Sequence, residues 1–438
     1  MSAARSIHGP EHALEQLQRL PGGPELLAAA KLRGDLALVG GAVRDLLLGH
    51  WPRELDVTVA GESAALAATL SASISPSERA YGHAVEPVLH ERFGTASVVW
   101  DYGRIDIAEQ RAERYPVPGA LPEVSAGTVA EDLARRDFTV NALRIALGGP
   151  DHGRLTAAPK ALEDLAAGLL RVLHEDSFSD DPTRMLRLAR YQARLGFQIE
   201  SRTAELAADA LATGALSTVS SARIGAELRL ALSEAGAVAS LQALQQLGVL
   251  RAIDASLSFD EMLAHRGLSL LPADGRADLL LLATLLLGIA RGGGSKPQAE
   301  IHGVIHELLD ALEFSAGDRD TALAAAMSAD ALAHELEQAQ APSELHRMLS
   351  LHSAEAVALA GASATATATG AAAEQAARWL QTLRHVRLEI DGDDLLAVGV
   401  AQGPEIGSRL SAALALKLDG EIAPGRQAEL AAALAARP

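Results

Sequence analysis

The chain has 438 residues, 49% of them hydrophobic and 3% aromatic, with no cysteine and a formal net charge of −18. The length implies several domains, and the missing thiols exclude a disulfide framework or a thiolate metal site. The acidic balance excludes attraction of nucleic acid over the whole surface and leaves only local basic strips for that purpose.

The first thirty residues lack a basic-then-apolar leader, and apolar runs such as Leu279–Ala290 are too short to span a bilayer, so a soluble cytoplasmic protein without membrane contact is expected. Strand patterns stand at Leu36–Val39 and Leu55–Val59, with a helix between them from about Ala42 to Leu48 that stops at Gly49. Ala96–Trp100, a turn at Asp101-Tyr102-Gly103 and Arg104–Ala108 read as a hairpin. From about Ala161 onward the pattern is Leu and Ala at helical spacing, with no strand expected. Arg291–Pro297 reads as a loop, and Ala360–Ala377 as a loop leading into a helix. No fixed-period repeat emerges. The expected class is α+β: a small mixed sheet in a head at 1–150, then an all-helical neck at 151–255 and a helical body and tail at 256–438. Nothing in the pattern sets an oligomeric state.

The chemistry concentrates in LALVGGAVRDLLLGHWPRELDVTV. A strand ends in Gly40-Gly41 and a helix follows, a turn whose free N–H groups suit phosphate. Glu54 and Asp56 alternate on a strand and share a face, where paired carboxylates can hold hard divalent cations. An isolated pair of this kind also fits an exposed acidic strand; the order strand, Gly-Gly, helix, acidic strand is more specific. Asp106, between Ile105 and Ile107, lies on the polar face of the hairpin's second strand. Farther on, Arg135-Arg136-Asp137-Phe138-Thr139-Val140-Asn141-Ala142-Leu143 combines cations for triphosphate with an amide for ribose hydroxyls, and Asp137 can orient an arginine. In Asp180-Asp181-Pro182-Thr183-Arg184-Met185-Leu186-Arg187, Asp181 and Arg184 are spaced to share one helical turn, and Arg190 and Arg194 extend a basic strip. His302 and His306 are read as a polar helix face, since no third ligand accompanies them.

These motifs resemble the class II tRNA nucleotidyltransferase and bacterial poly(A) polymerase family, within the polymerase-β-like superfamily. Gly40, Gly41, Val43, Arg44, Asp45, Leu48, Gly49 and Asp56 match its first motif, with Glu54 where the family usually has Asp. Arg111, Glu113 and Tyr115 resemble its Arg-x-Glu-x-Tyr segment, and Val219–Ile224 its neck. Asp391–Leu395, Gly399 and Gly403–Gly407 are similar to its tail motif. Ala157-Ala158-Pro159-Lys160-Ala161 replaces an Asp-Pro-x-Gly-Gly turn, and residues 255–380 match nothing.

The resemblance implies that Glu54, Asp56 and Asp106 are catalytic and hold two Mg²⁺ ions. It implies nucleotide contacts from Gly40, Gly41, Arg44, Arg136, Asp137, Asn141, Asp181, Arg184, Arg187 and Arg190, with Asp181 and Arg184 reading the base edges of CTP and ATP. The implied reaction adds CMP and AMP to the tRNA 3′ end. The alternatives are poly(A) polymerase, an A-only or C-only enzyme, and a catalytically weakened RNA-binding paralogue.

Overall fold

The computed structural model describes residues 5–74, 85–90, 94–292, 297–363 and 370–436. It divides into two compact units, Met1–Ser220 and Ser221–Pro438.

The first unit opens with helices α1 (Pro10–Leu17) and α2 (Gly23–Leu32), then β1 (Ala37–Val39), α3 (Gly40–Leu47), β2 (Leu55–Val59) and α4 (Ser63–Ser73). Strands β3 (Val88–His90), β4 (Thr95–Trp100), β5 (Gly103–Glu109), β6 (Arg111–Arg114) and β7 (Glu123–Ala126) follow. Helix α5 (Val129–Ala134), strands β8 (Leu143–Ala146) and β9 (Leu155–Ala157), and helix α6 (Ala161–Ala167) lead to β10 (Leu169–Leu170). The unit closes with α7 (Ser177–Asp180), α8 (Arg184–Leu195), β11 (Gln198–Ile199) and α9 (Ser201–Ala212).

Seven strands form one sheet in the order β3-β4-β5-β2-β1-β8-β9. Its ladders are antiparallel except β2 with β5, so the sheet is mixed, as expected. Alternation explains the central strands: Leu55, Val57, Val59, Ile105 and Ile107 are buried, and Asp56 and Asp106 take the other face. The hairpin falls where the sequence places it, with Trp100 opposite Gly103. Strands β6 to β9 add two antiparallel pairs beyond the expected ones, and a parallel two-residue ladder of β10 with β11 corrects the expectation of no strand after Ala161. Strands that short carry too little alternation to read.

The altered turn before α6 keeps a left-handed residue without glycine: Lys160 has φ 67° and is the residue at which the helix starts. An L-side chain in that region costs roughly 1 kcal/mol.

Among the described residues of the second unit the structure is helical. Helix Ala277–Gly292 is apolar nearly all round and buries Leu279 through Leu287, which makes it a core element and not a surface one. Ala322, Ala325, Ala326, Ala329 and Ala333 line the buried side of Ala316–Gln338, and small side chains there admit close packing of Ala354–Ser363. A separate C-terminal core gathers Ile390, Leu395, Ala413, Ala432 and Ala433. Two loop expectations shift. Arg291 and Gly292 continue a helix, and 293–296 lie outside the described residues. Ala360–Ser363 close a helix and Ala371 opens the next, with 364–369 outside the described residues. His302 and His306 stack on each other along Gln298–Ala311. No helix among the described residues is long and apolar enough to cross a membrane.

Candidate active site

Parallel pairing of β2 with β5 sets Asp56 directly opposite Asp106, and Glu54 precedes Asp56 on the same face. One oxygen from each of the three carboxylates lies within 4.8 Å of the others. This crowding has an electrostatic signature. Burial, with the charges of Glu54 and Asp106 and against those of Arg136 and Arg44, pushes the Asp56 carboxyl up to about 7. The Ser97 hydroxyl donates to Asp106 Oδ1 at 2.5 Å, and Arg104 Nε donates to Asp106 Oδ2 at 2.7 Å. Three converging carboxylates without nitrogen or sulfur are a donor set for hard ions of the magnesium, manganese or calcium type. Ions so held can activate a hydroxyl and stabilise charge on a transferring phosphoryl group.

The Gly-Gly turn stands beside this cluster. Gly40 has φ 68°, and a Cβ there would lie 2.7 Å from Arg136 Nη1 and 3.6 Å from Asp56 Oδ2. Backbone, guanidinium and carboxylate therefore meet at one point, where only glycine fits. Arg136 is braced by Asp132 at 3.2 Å, while its buried Nε has no hydrogen-bond partner. An unsatisfied donor of a cation, next to the start of α3, suits an anionic group.

Arg44, Asn141, Asp137 and Arg187 spend their polar atoms largely on one another. Arg44 is 1% exposed and donates to Asp45 Oδ1 at 2.8 Å and to Asn141 Oδ1 at 2.5 Å. Asn141 donates to Asp137 Oδ1 at 2.9 Å, and Arg187 reaches Asp137 Oδ2 through Nε at 2.8 Å and Nη2 at 2.6 Å. Arg194 pairs with Asp45 at 3.3 Å, and Tyr191 lies against the guanidinium groups of both Arg44 and Arg187. Burial opposes the charged form of Asp137, but the Arg187 charge and the hydrogen bonds from Asn141 and Arg187 outweigh it and hold the carboxyl at about 2. The chain of contacts fastens α8 to the Arg135–Leu143 segment and to α3. Of the basic strip expected on α8, Arg187 and Arg194 thus turn toward acids, which are Asp137 and Asp45. Arg190 is half-buried on the same helix.

Asp181 and Arg184 open α8. Asp181 itself is extended, with Pro182 next, and its carbonyl accepts from Arg184 N–H at 3.0 Å, closing the turn that leads into the helix. The Asp181 carboxylate accepts from Thr183 N–H at 3.1 Å and the Thr183 hydroxyl at 2.6 Å. Arg184 is 4% exposed, donating to Ser177 Oγ at 3.0 Å and to the Arg135 carbonyl at 2.8 Å. Arg135 is held in turn by Asp132 at 2.7 Å and Glu113 at 3.0 Å, and the Tyr115 hydroxyl donates to Glu113 at 3.2 Å. Burial, then the charge of Glu113, pushes the Tyr115 hydroxyl up to about 12, so it stays a donor. Two participants escaped sequence reasoning, Ser97 and Arg104. The signal for Arg104 was the Arg-x-Asp alternation that sets it on the face of Asp106.

Comparison with known proteins agrees with this arrangement. Residues 36–171 match the family model of the poly A polymerase head domain. An A-adding tRNA nucleotidyltransferase of Halalkalibacterium halodurans is 40% identical over 228 residues, 51% of this chain and 51% of the relative. A second A-adding tRNA nucleotidyltransferase, of Aquifex aeolicus, is 30% identical across 85% of this chain and 43% of its own length. A CC-adding tRNA nucleotidyltransferase of Deinococcus radiodurans is 38% identical over 46% of this chain and 50% of the relative. The chain spans about half the length, or less, of these curated relatives. Among solved structures, a CCA-adding enzyme in an apo form superposes with TM-score 0.76 at 26% identity, covering 99% of this chain and 100% of the other. A Thermotoga maritima CCA-adding enzyme complexed with tRNA gives TM-score 0.73 at 25% identity, with 99% of each chain covered. Residues 36–171 thus match the poly A polymerase head-domain family, and the chain shares its fold with solved CCA-adding enzymes.

Proposed function

We propose that the chain is a template-independent RNA nucleotidyltransferase that adds CMP or AMP, from CTP and ATP, to the 3′ end of tRNA in the cytoplasm. The observation that carries this reading is the triad of Glu54, Asp56 and Asp106 beside the Gly40 turn and Arg136. In this reading Glu54, Asp56 and Asp106 would hold two Mg²⁺ ions, which when bound would supply activation of the 3′-hydroxyl and charge stabilisation for phosphoryl transfer. Gly40, Gly41 and Arg136 take the triphosphate. Asp181 and Arg184, fixed by Thr183, Ser177 and the Arg135 carbonyl, read the base edge. Arg44, Asp137, Asn141 and Arg187 hold these two groups in register as well as facing the nucleotide, with Arg190 alongside. A head at 1–150 performs the chemistry, a neck at 151–255 reads the base, and the body and tail at 256–438 bind RNA.

A second reading has its own support. Relatives from Halalkalibacterium halodurans, Geobacter sulfurreducens and Aquifex aeolicus carry the name A-adding tRNA nucleotidyltransferase, which favours an enzyme restricted to the terminal A. Purified protein, given tRNA lacking its terminal A or all three terminal nucleotides and each NTP separately, separates the readings. Addition of C and A to the fully truncated tRNA supports CCA synthesis. Addition of A alone, to tRNA ending in CC, supports the restricted enzyme. No incorporation on any substrate refutes both.

A further inference from the structure

Arg104 belongs to no expected nucleotide contact, yet it stands inside the acidic cluster. On β5 its side chain shares a face with Asp106, two residues on. The parallel register Leu55 to Ile105 and Asp56 to Asp106, carried back one residue, sets Glu54 beside Arg104. The result is a square of four charges on two adjacent strands. Arg104 Nε is 2.7 Å from Asp106 Oδ2 and 3.9 Å from Glu54 Oε2. These carboxylates are two of the three whose oxygens converge within 4.8 Å. The Ser97 hydroxyl takes Asp106 Oδ1 at 2.5 Å, so both oxygens of Asp106 have protein partners. A divalent cation in this cluster needs a lone pair of Asp106 and brings two positive charges to where the guanidinium sits.

We propose that Arg104 is an internal competitor for the divalent cation: its guanidinium neutralises Asp106 and Glu54, leaves Asp106 as the cation arrives, and so sets the cation concentration at which the triad fills. The proposal rests on the reading of the triad as a metal site. Displacement is cheap because the Arg104 side chain is 50% exposed and can swing into water on a flexible stem. A fixed internal cation also spares the metal-free cluster the repulsion of three adjacent carboxylates.

Binding of Mn²⁺ to the full chain, followed by the paramagnetic resonance signal of the free ion, tests this in wild type, R104Q, R104K and D106N. Exposed ion pairs are weak, so R104Q is expected to bind Mn²⁺ about three- to five-fold more tightly than wild type. R104K, which keeps the charge without the fork, falls between them. A merely structural role for Arg104 would weaken binding, never tighten it. If D106N weakens binding while R104Q matches wild type or binds less well, the Arg104 proposal fails and the triad stands. If D106N leaves Mn²⁺ binding unchanged, the triad reading itself fails, and this inference with it.

Discussion

Replacing Arg187 with alanine removes the counter-charge of a buried carboxylate. Asp137 is 7% exposed and accepts four hydrogen bonds: from the Phe138 N–H at 2.8 Å, from Asn141 at 2.9 Å, and from Arg187 at 2.8 and 2.6 Å. The variant deletes the last two and leaves the charge in place. Breaking a buried pair from one side costs roughly 3–5 kcal/mol. The Arg187 side chain is 37% exposed, so water can fill part of the gap, and a smaller cost, about 2–3 kcal/mol, applies. The depression of the carboxyl from its ordinary value to about 2 gives the same sign: its partners outweigh burial in favour of the charged form. The pH dependence follows from the direction of that shift. Because the folded value is depressed, the stabilisation is present above about pH 4 and is lost as pH falls toward 2. Without Arg187 burial is opposed by less, and the carboxyl of the variant rises from its wild-type value. The cost of Arg187→Ala is therefore greatest at neutral pH and shrinks near pH 3. Urea unfolding of both proteins, followed by circular dichroism at pH 7 and near pH 3, measures this. A loss below about 0.5 kcal/mol at pH 7, or the same loss at both pH values, would refute the reasoning.

Other outcomes are expected. Lys160→Gly relieves a left-handed side chain at the start of α6 and should stabilise the protein by roughly 0.5–1 kcal/mol, read as a rise in melting temperature; a fall would mean that the Lys160 side chain contributes more than the strain costs. Arg184→Ala should lower both rate and discrimination among CTP, ATP, GTP and UTP, at about 1–3 kcal/mol per lost base-edge hydrogen bond; unchanged selectivity would remove Arg184 from base reading. Because Arg187 and Arg194 are paired with Asp137 and Asp45, tRNA affinity should fall only modestly with salt; a steep slope would show that many other cations meet phosphate.

Alternation made Glu54 and Asp56 legible as one acidic face and Asp106 as the polar face of its own strand; that the three gather was implied by the family resemblance, and the parallel register of β2 with β5 brings them together. The helical second half was legible from Leu and Ala periodicity. What stayed hidden was set by contacts distant in sequence. Asp137 and Arg187 are 50 residues apart and Arg44 and Asn141 are 97 apart, so no local pattern reveals that arginines and an asparagine suited to a nucleotide also hold one another. Strands β8 and β9, of four and three residues, are too short to alternate visibly; β8 is set by pairing between β1 and β9, and β9 by pairing with β8 at the sheet edge. The turn at Lys160 was read as altered from its missing glycines, and Lys160 is left-handed there without one.

The central claim is that the carboxylate triad transfers nucleotides to tRNA, and single-turnover addition by Asp56→Ala tests it most directly. The substrate is tRNA lacking its terminal A, supplied with labelled ATP and Mg²⁺, and a melting curve verifies the fold. Removing Asp56 relieves repulsion from Glu54 and Asp106, so the variant should melt at or above the wild-type temperature. The account predicts that addition falls below detection in that well-folded variant. Addition by Asp56→Ala at a rate near that of wild type would contradict it.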